Sequence, residues 1–240
     1  MTSSTRSRRE RPAKPALSRA WIIAATIEIM RAEGLEKATM RRVAQALDTG
    51  PASLYVYVAS TAELHAAVLD DLLGSLEPRP DGRGTGGGTG GGWQARLEEL
   101  LGDYAAILFA YPGLARSALV MRPSGPNAIR LYEQILGLLI EGDIEPARAA
   151  WGVDLLMLFV TANAAEHSQP APGDPDATKE AVAVAPGNMA RAIRAADPAA
   201  APHLAAHADA VLGGRPAERI AWGLRALVAG ITATAVPNES

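Results

Sequence analysis

Cysteine is absent from all 240 residues, which excludes disulfides, thiolate metal sites, a cysteine nucleophile and thiol redox sensing together. Aromatic residues make up only 5%, and Val and Ile do not alternate with polar residues over strand lengths, so nothing marks a sheet. No uninterrupted apolar run reaches the roughly 18 residues of a membrane span, and the Arg-rich start lacks the apolar stretch of a secretory signal. A cytoplasmic chain with no membrane partner is therefore expected. Catalytic fingerprints are missing too: there is no H-E-x-x-H, nucleophile elbow or dinucleotide fingerprint. The glycine run Gly82 to Gly92 has neither the preceding strand nor the Gly-Lys-Ser/Thr ending of a phosphate loop. The sequence thus predicts no enzyme, no cofactor and no metal.

What is present is an ordinary globular composition, 48% apolar and 20% charged, in a length that suits one small and one medium domain. The formal net charge of -3 hides an uneven distribution. Residues 1–76 carry ten Lys/Arg against eight Asp/Glu, a balance of +2, which leaves 13 against 18, or -5, for the remainder. Arg6, Arg8, Arg9, Arg11, Lys14 and Arg19 face only Glu10, a basic arm over 1–17 that either tracks phosphates or a minor groove or is a merely solvated tail.

Ala and Leu recur at three- and four-residue spacing through most of the chain, which predicts an all-α fold. Ser18 is placed to cap a helix to about Glu33, stopped by Gly34. Thr39 opens a short second helix that ends in Asp48-Thr49-Gly50, and Pro51 suits the first position of a third reaching Val58. Ser60 and Glu63 form a capping box for a fourth helix to about Leu76. The linker 77–92 follows. Prolines then divide a second domain, 93–236, into helices near 93–110, 113–121, 126–141 and 146–166. A Pro-, Gly- and Asp-rich loop and an Ala-rich segment interrupted by Pro186, Pro198 and Pro202 lead to a last helix near 217–235.

Two short helices joined by a tight turn and braced by their neighbours are the parts of a helix-turn-helix, within a domain spanning 18–76, whose second helix enters the major groove. The stretch LSRAWIIAATIEIMRAEGLEKATMRRVAQALDTGPASLYVYVASTAELHAAVLDDLL resembles the DNA-binding domain of the TetR family of repressors. Gly34, the Thr39-Met40-Arg41-Arg42-Val43-Ala44 run, the Leu54-Tyr55 pair and Ala62-Glu63-Leu64 carry the likeness. The resemblance implies a fold of an N-terminal three-helix helix-turn-helix domain plus a larger helical ligand-binding and dimerisation domain. It implies a homodimer on palindromic double-stranded operator DNA, released by a small apolar effector of unknown identity.

For the DNA contacts it implies Thr39 and Arg42 on phosphate and Arg41 on a guanine edge, with Arg19 adding charge. Ala52 and Ser53 would meet base edges, Tyr55 and Tyr57 phosphate oxygens, and Ser60 and Thr61 would offer donors at the next helix start. Each tyrosine taken singly is as consistent with packing. The chain departs from the family by Asp48 where many members have Gly, by Val56-Tyr57 for an aromatic followed by His, and by Thr61 for Lys. Its recognition helix carries no cation, so Arg41, Arg42, Arg19 and the arm supply more of the phosphate attraction.

In the second domain, residues 111–167 are similar to the tetracycline-repressor branch. That likeness puts Gln134 and Glu166 at pocket positions, but Ala118 and Glu77 stand where the branch has histidines, so neither tetracycline nor magnesium is expected. The implied cavity draws its walls from Tyr104, Phe109, Met121, Gln134, Trp151 and Asn163, with Glu166, any of which singly also suits the core. Helices near 146–166 and 217–235 are apolar around much of their girth, which fits either a dimer-forming four-helix bundle or an ordinary core. His203 and His207 have helix-face spacing, open to metal binding or to no role. A regulator that senses a protein partner instead of a small molecule is the other alternative.

Overall fold

The computed structural model describes residues 16–76, 92–111, 113–121, 123–167 and 186–237, and every regular element among them is helical. The basic arm up to Pro15, nearly all of the glycine run and the loop after His167 fall outside these residues.

Helix α1 spans Arg19–Glu33 and is capped as expected, with the Ser18 hydroxyl accepting the Trp21 N–H at 3.2 Å. Gly34, at φ 91°, ends it, and its N–H returns to the Met30 carbonyl. A 3-10 turn, Leu35–Lys37, leads to α2, Met40–Ala46, capped by Thr39, whose hydroxyl accepts the Arg42 N–H at 3.2 Å. Asp48 holds φ 49°. The turn demands the left-handed region there, which explains why glycine suits this position and why Asp, one of the residues that tolerates it, can stand in.

The third helix is shorter than the expected 50–58. Helix α3 covers Pro51–Leu54, after which Tyr57 N–H bonds the Leu54 carbonyl three residues back at 2.9 Å, tightening the end into a turn. Helix α4 spans Thr61–Leu73, with Ser60 Oγ accepting the Glu63 N–H at 3.0 Å. The return half of the capping box is displaced by one residue, because Glu63 Oε2 accepts from Ala59 N–H at 2.6 Å rather than from Ser60. Ile22, Met30, Val43, Leu54, Leu64 and Val68 close the core of these helices. The buried Thr26 hydroxyl is satisfied by the Ile22 carbonyl at 2.7 Å.

The second group comprises α5 (Trp93–Ala110), α6 (Leu114–Met121), α7 (Pro126–Glu141) and α8 (Pro146–His167). Three short helices, α9 (Pro186–Arg194), α10 (Pro202–Ala206) and α11 (Ala208–Leu212), precede α12 (Pro216–Ala233). Five of these helices open on proline, whose missing N–H has no intrahelical partner at that position. Helix α8 is the axis of the group: α5, α6, α7 and α12 pack against it, and Ala149, Val153, Leu156, Val160 and Ala164 are buried along it. A Cβ at Gly223 of α12 would lie 2.4 Å from Phe159 Cζ, so glycine is what lets α12 approach α8. Among the described residues, no single helix is long and apolar enough to cross a membrane.

Leu54 is fully buried and is the chief anchor of the four-residue α3. Leu54→Ala should lower the unfolding free energy by about 2–5 kcal/mol, read from the urea midpoint at constant slope.

Candidate nucleic-acid interface and effector cavity

Helices α2 and α3 pack on each other and leave Arg41, Ala52, Ser53, Tyr55 and Val56 exposed. Tyr55, at 54% exposure, projects its ring into solvent, while the neighbouring side chains are small enough for a groove floor to approach the backbone. Arg19 is exposed at the start of α1. Thr39 is exposed, with its oxygen committed to the helix cap and its O–H left as a donor. Ser60 is likewise exposed and capping, and Thr61 is half-buried.

Two expected contact residues are engaged elsewhere. The Tyr57 hydroxyl donates to the Leu17 carbonyl at 2.6 Å from a half-buried ring, tying the chain before α1 to the turn after α3. Arg42 grips Glu33 with Nε at 3.1 and 3.2 Å from the two carboxylate oxygens and Nη2 at 2.5 Å from the first. The hydrogen bond from Arg42 holds the Glu33 carboxyl below its ordinary pKa and raises that of the guanidinium. Glu33, which the sequence did not flag, thus fixes the Arg42 fork in place and offsets its charge.

A cavity of 70 Å³ lies among α5, α6, α7 and α8, lined by Tyr104, Ala118, Tyr132, Asp154, Met157 and Thr161 among others. The Tyr104 hydroxyl and Thr161 Oγ1 are 2.8 Å apart. Burial pushes the phenol up to about 12, against the opposing effect of Thr161, so it stays neutral and able to donate. Of the residues expected at a pocket, Tyr104 lines this cavity. Met121 lies instead in a crevice of 10 Å³ between α4 and α6, with His65, Ala66, Leu69, Leu114, Ser117, Ala118 and Pro123. Gln134 is half-buried and its amide nitrogen is sealed from solvent with no hydrogen-bond partner. Asn163 donates to the Phe159 carbonyl at 2.8 Å within its own helix. Phe109 and Glu166 are exposed. Trp151 faces a different feature, an open groove of 610 Å³ between α8 and α12 that also includes Leu155, Leu158 and Leu227.

His203 and His207 are exposed, and no group of three or more metal-ligating side chains occurs among the described residues. Contacts between the two groups of helices were not legible in the sequence. Arg31 Nε donates to the Tyr111 hydroxyl at 3.1 Å, Leu35 fits against Gly113, and Asp70 of α4 bonds the start of α7.

Two family models match this architecture: bacterial regulatory proteins, tetR family, over residues 22–68, and tetracyclin repressor-like, C-terminal domain, over residues 87–235. A solved structure of the Streptomyces transcription regulator SCO7704 is 47% identical, covers 95% of this chain and 100% of its own, and superposes with a TM-score of 0.75. ActR from Streptomyces coelicolor, solved in complex with actinorhodin, is 30% identical over 91% of this chain and 97% of its own, with a TM-score of 0.73. The HTH-type transcriptional repressor DrrR1 of Streptomyces coeruleorubidus is 36% identical over 136 residues, 56% of this chain and 48% of that protein. The match therefore spans about half the length of that curated relative.

His65 is half-buried at the α4–α6 crevice, and burial lowers its pKa despite the Ala38 carbonyl 3.3 Å from Nε2. The unfolded chain therefore takes up this proton first. The stability contributed by the neutral ring is complete above about pH 6.5 and is lost as pH falls from there toward the folded value. Urea unfolding of the native protein and His65→Gln across that interval should show an acid-side decline in the native protein that is shallower in the variant.

Proposed function

Because this chain belongs to the tetR family of bacterial regulatory proteins, whose members are generally transcription factors and not enzymes, we propose that it is a homodimeric repressor released from operator DNA by a small molecule. The observation that carries this reading is the exposed α2–α3 surface, where Arg41, Ala52, Ser53 and Tyr55 stand clear of a well-packed four-helix core. Residues 18–76 are the reading head, 93–236 the sensing and dimerisation domain, and 77–92 their connection, with the basic arm over 1–17 adding phosphate attraction. Arg41 reads a base edge and Tyr55 a phosphate oxygen, with Thr39 and Ser60 donating from helix starts. Arg42 serves as a pre-set cation and Tyr57 as a brace. Arg19 and Thr61 flank the contact.

Dimerisation uses α8 and α12. Trp151 and Trp222 are 61% and 67% exposed, and Leu155 and Leu158 share the groove with Trp151, apolar surface that calls for a cover. A second copy provides a self-complementary one across a two-fold axis. Two heads so related read half-sites about one helical turn, roughly 34 Å, apart, or a multiple of that.

The effector site is the cavity at Tyr104 and Thr161, with Tyr132 and Asp154 giving it a polar lining. Its 70 Å³ is well below the roughly 300–1,000 Å³ of pockets that enclose drug-sized ligands. Capture of such an effector therefore has to part the helices, which makes binding and helix displacement one event. ActR takes actinorhodin, and its similarity supports a small, largely apolar molecule with a few hydrogen-bonding groups here. Release from DNA follows when displacement turns the heads out of step with successive major grooves, at a reciprocal coupling of typically about 1–3 kcal/mol.

Selection from random duplex DNA should yield a palindromic motif with the native protein and none with the Arg41→Ala/Tyr55→Phe double variant. Absence of enrichment by the native protein at low salt would defeat the reading. Trp151→Glu/Trp222→Glu should shift the mass seen by light scattering from dimer to monomer and weaken operator binding, whereas a persistent dimer would reassign the interface.

A further inference from the structure

Helix α7 begins without a cap of its own. Its N-cap residue is Gly125, which has no side chain to accept the free amides of the first turn. The missing acceptor comes from the other domain. Asp70, near the end of α4 and only 8% exposed, accepts the Ala128 N–H on Oδ1 at 2.9 Å. Asn127 adds its amide to the Asp70 carbonyl at 2.9 Å and, at 3.4 Å, to Oδ2. One turn further along, Arg130 Nη2 donates to the Gly74 carbonyl at 3.3 Å. The carboxylate sits so close to Gly125 that a Cβ there would lie 2.2–2.5 Å from its atoms. An acceptor side chain suits this place, where the positive end of the helix presents amides that have no partner within the helix.

The same helix meets the sensing domain at a second point. Ala66 and Leu69 of α4 line the narrow crevice with Ala118 and Pro123, and those last two residues also line the 70 Å³ cavity. They are a partition with the effector site on one side and α4 on the other. Pro123 lies two residues before the glycine that receives Asp70. Enlarging the cavity therefore presses on α4 within one turn of a point where α4 is fastened to α7.

From this arrangement we infer that Asp70 is the pivot of the reading head: its carboxylate fixes α4 to the start of α7 and so sets the angle at which the head stands on the sensing domain. The inference rests on the effector-responsive reading above for its purpose, but the pivot is a property of the single chain and is tested without DNA or effector. Asp70 acts by positioning and touches neither. The Arg31–Tyr111 and Leu35–Gly113 contacts also join the two groups of helices, but neither involves a residue of α4.

Absence of native cysteine allows a spin-label pair at A24C and E133C, exposed positions of α1 and α7, diluted into unlabelled protein. The native background should give one narrow head-to-core distance. Asp70→Ala should lower the melting temperature by several degrees and at least double the width of that distribution. Adding Gly125→Ser to Asp70→Ala supplies α7 with a local cap in the space vacated. It should recover most of the melting temperature while the distribution stays broad. Gly125→Ser alone should displace Asp70 and broaden the distribution too. A distribution that stays narrow in Asp70→Ala, or narrows again together with the recovered melting temperature in the double variant, would overturn the pivot and leave Asp70 a cap and nothing more. If the native protein fails to select an operator yet these variants behave as stated, the DNA reading falls and the pivot stands.

Discussion

Leu64 and Val68 of α4 close the core of the head, while Leu69, Asp70 and Leu73, on the other side of the same helix, are buried toward the sensing domain. A helix of 13 residues thus completes two cores, and most of what the molecule does depends on that sharing. An ordinary surface helix has one apolar stripe and one wet face. Here the second face is also covered, and the cover includes a carboxylate, a group whose burial is costly unless its hydrogen bonds are met. The amides at the start of α7 meet them, so the cost of burying Asp70 becomes a preference for one relative placement of the two helices.

Local features of the chain were legible because their causes are local. Ser18, Thr39 and Ser60 cap the helices that follow them, and Pro126, Pro146 and Pro216 open theirs, since these preferences arise from the amides of a single turn. The expected family and helix-turn-helix followed from such signals in sequence order. Where a contact crosses the chain, the reading ran out. Tyr57 is drawn back to Leu17, 40 residues away, and Arg42 to Glu33, so two residues expected to touch DNA spend their polar atoms within the head. Neither is visible from spacing, because helical geometry relates residues three or four apart and these partners sit on different elements.

Asp70 shows the same limit from the other side. In Leu69-Asp70-Asp71-Leu72 it reads as a solvated acid late in a helix, and Gly125-Pro126 reads as a plain helix start. A start lacking a capping side chain and an acid without a basic neighbour are each unremarkable. Only their juxtaposition, 58 positions apart in sequence, gives either a purpose. The lining of the cavity among α5, α6, α7 and α8 was hard to read in advance: Tyr104 lies on it, but Trp151 turns to the groove between α8 and α12. Apolar residues on a helix with several covered faces carry no mark of which neighbour each face meets.

The fit between Asp70 and Gly125 also bears on how such regulators exchange parts. Each half of the joint lies in a different domain, one in the last turns of the head and the other at the third helix of the sensing body, and neither works with an arbitrary counterpart. A residue larger than glycine at 125 would collide with the Asp70 carboxylate, and a side chain at 70 that cannot accept a hydrogen bond would leave the start of α7 bare. A graft of a new head onto this body must therefore carry a compatible pair across the boundary, which makes the two domains mated halves and not interchangeable modules.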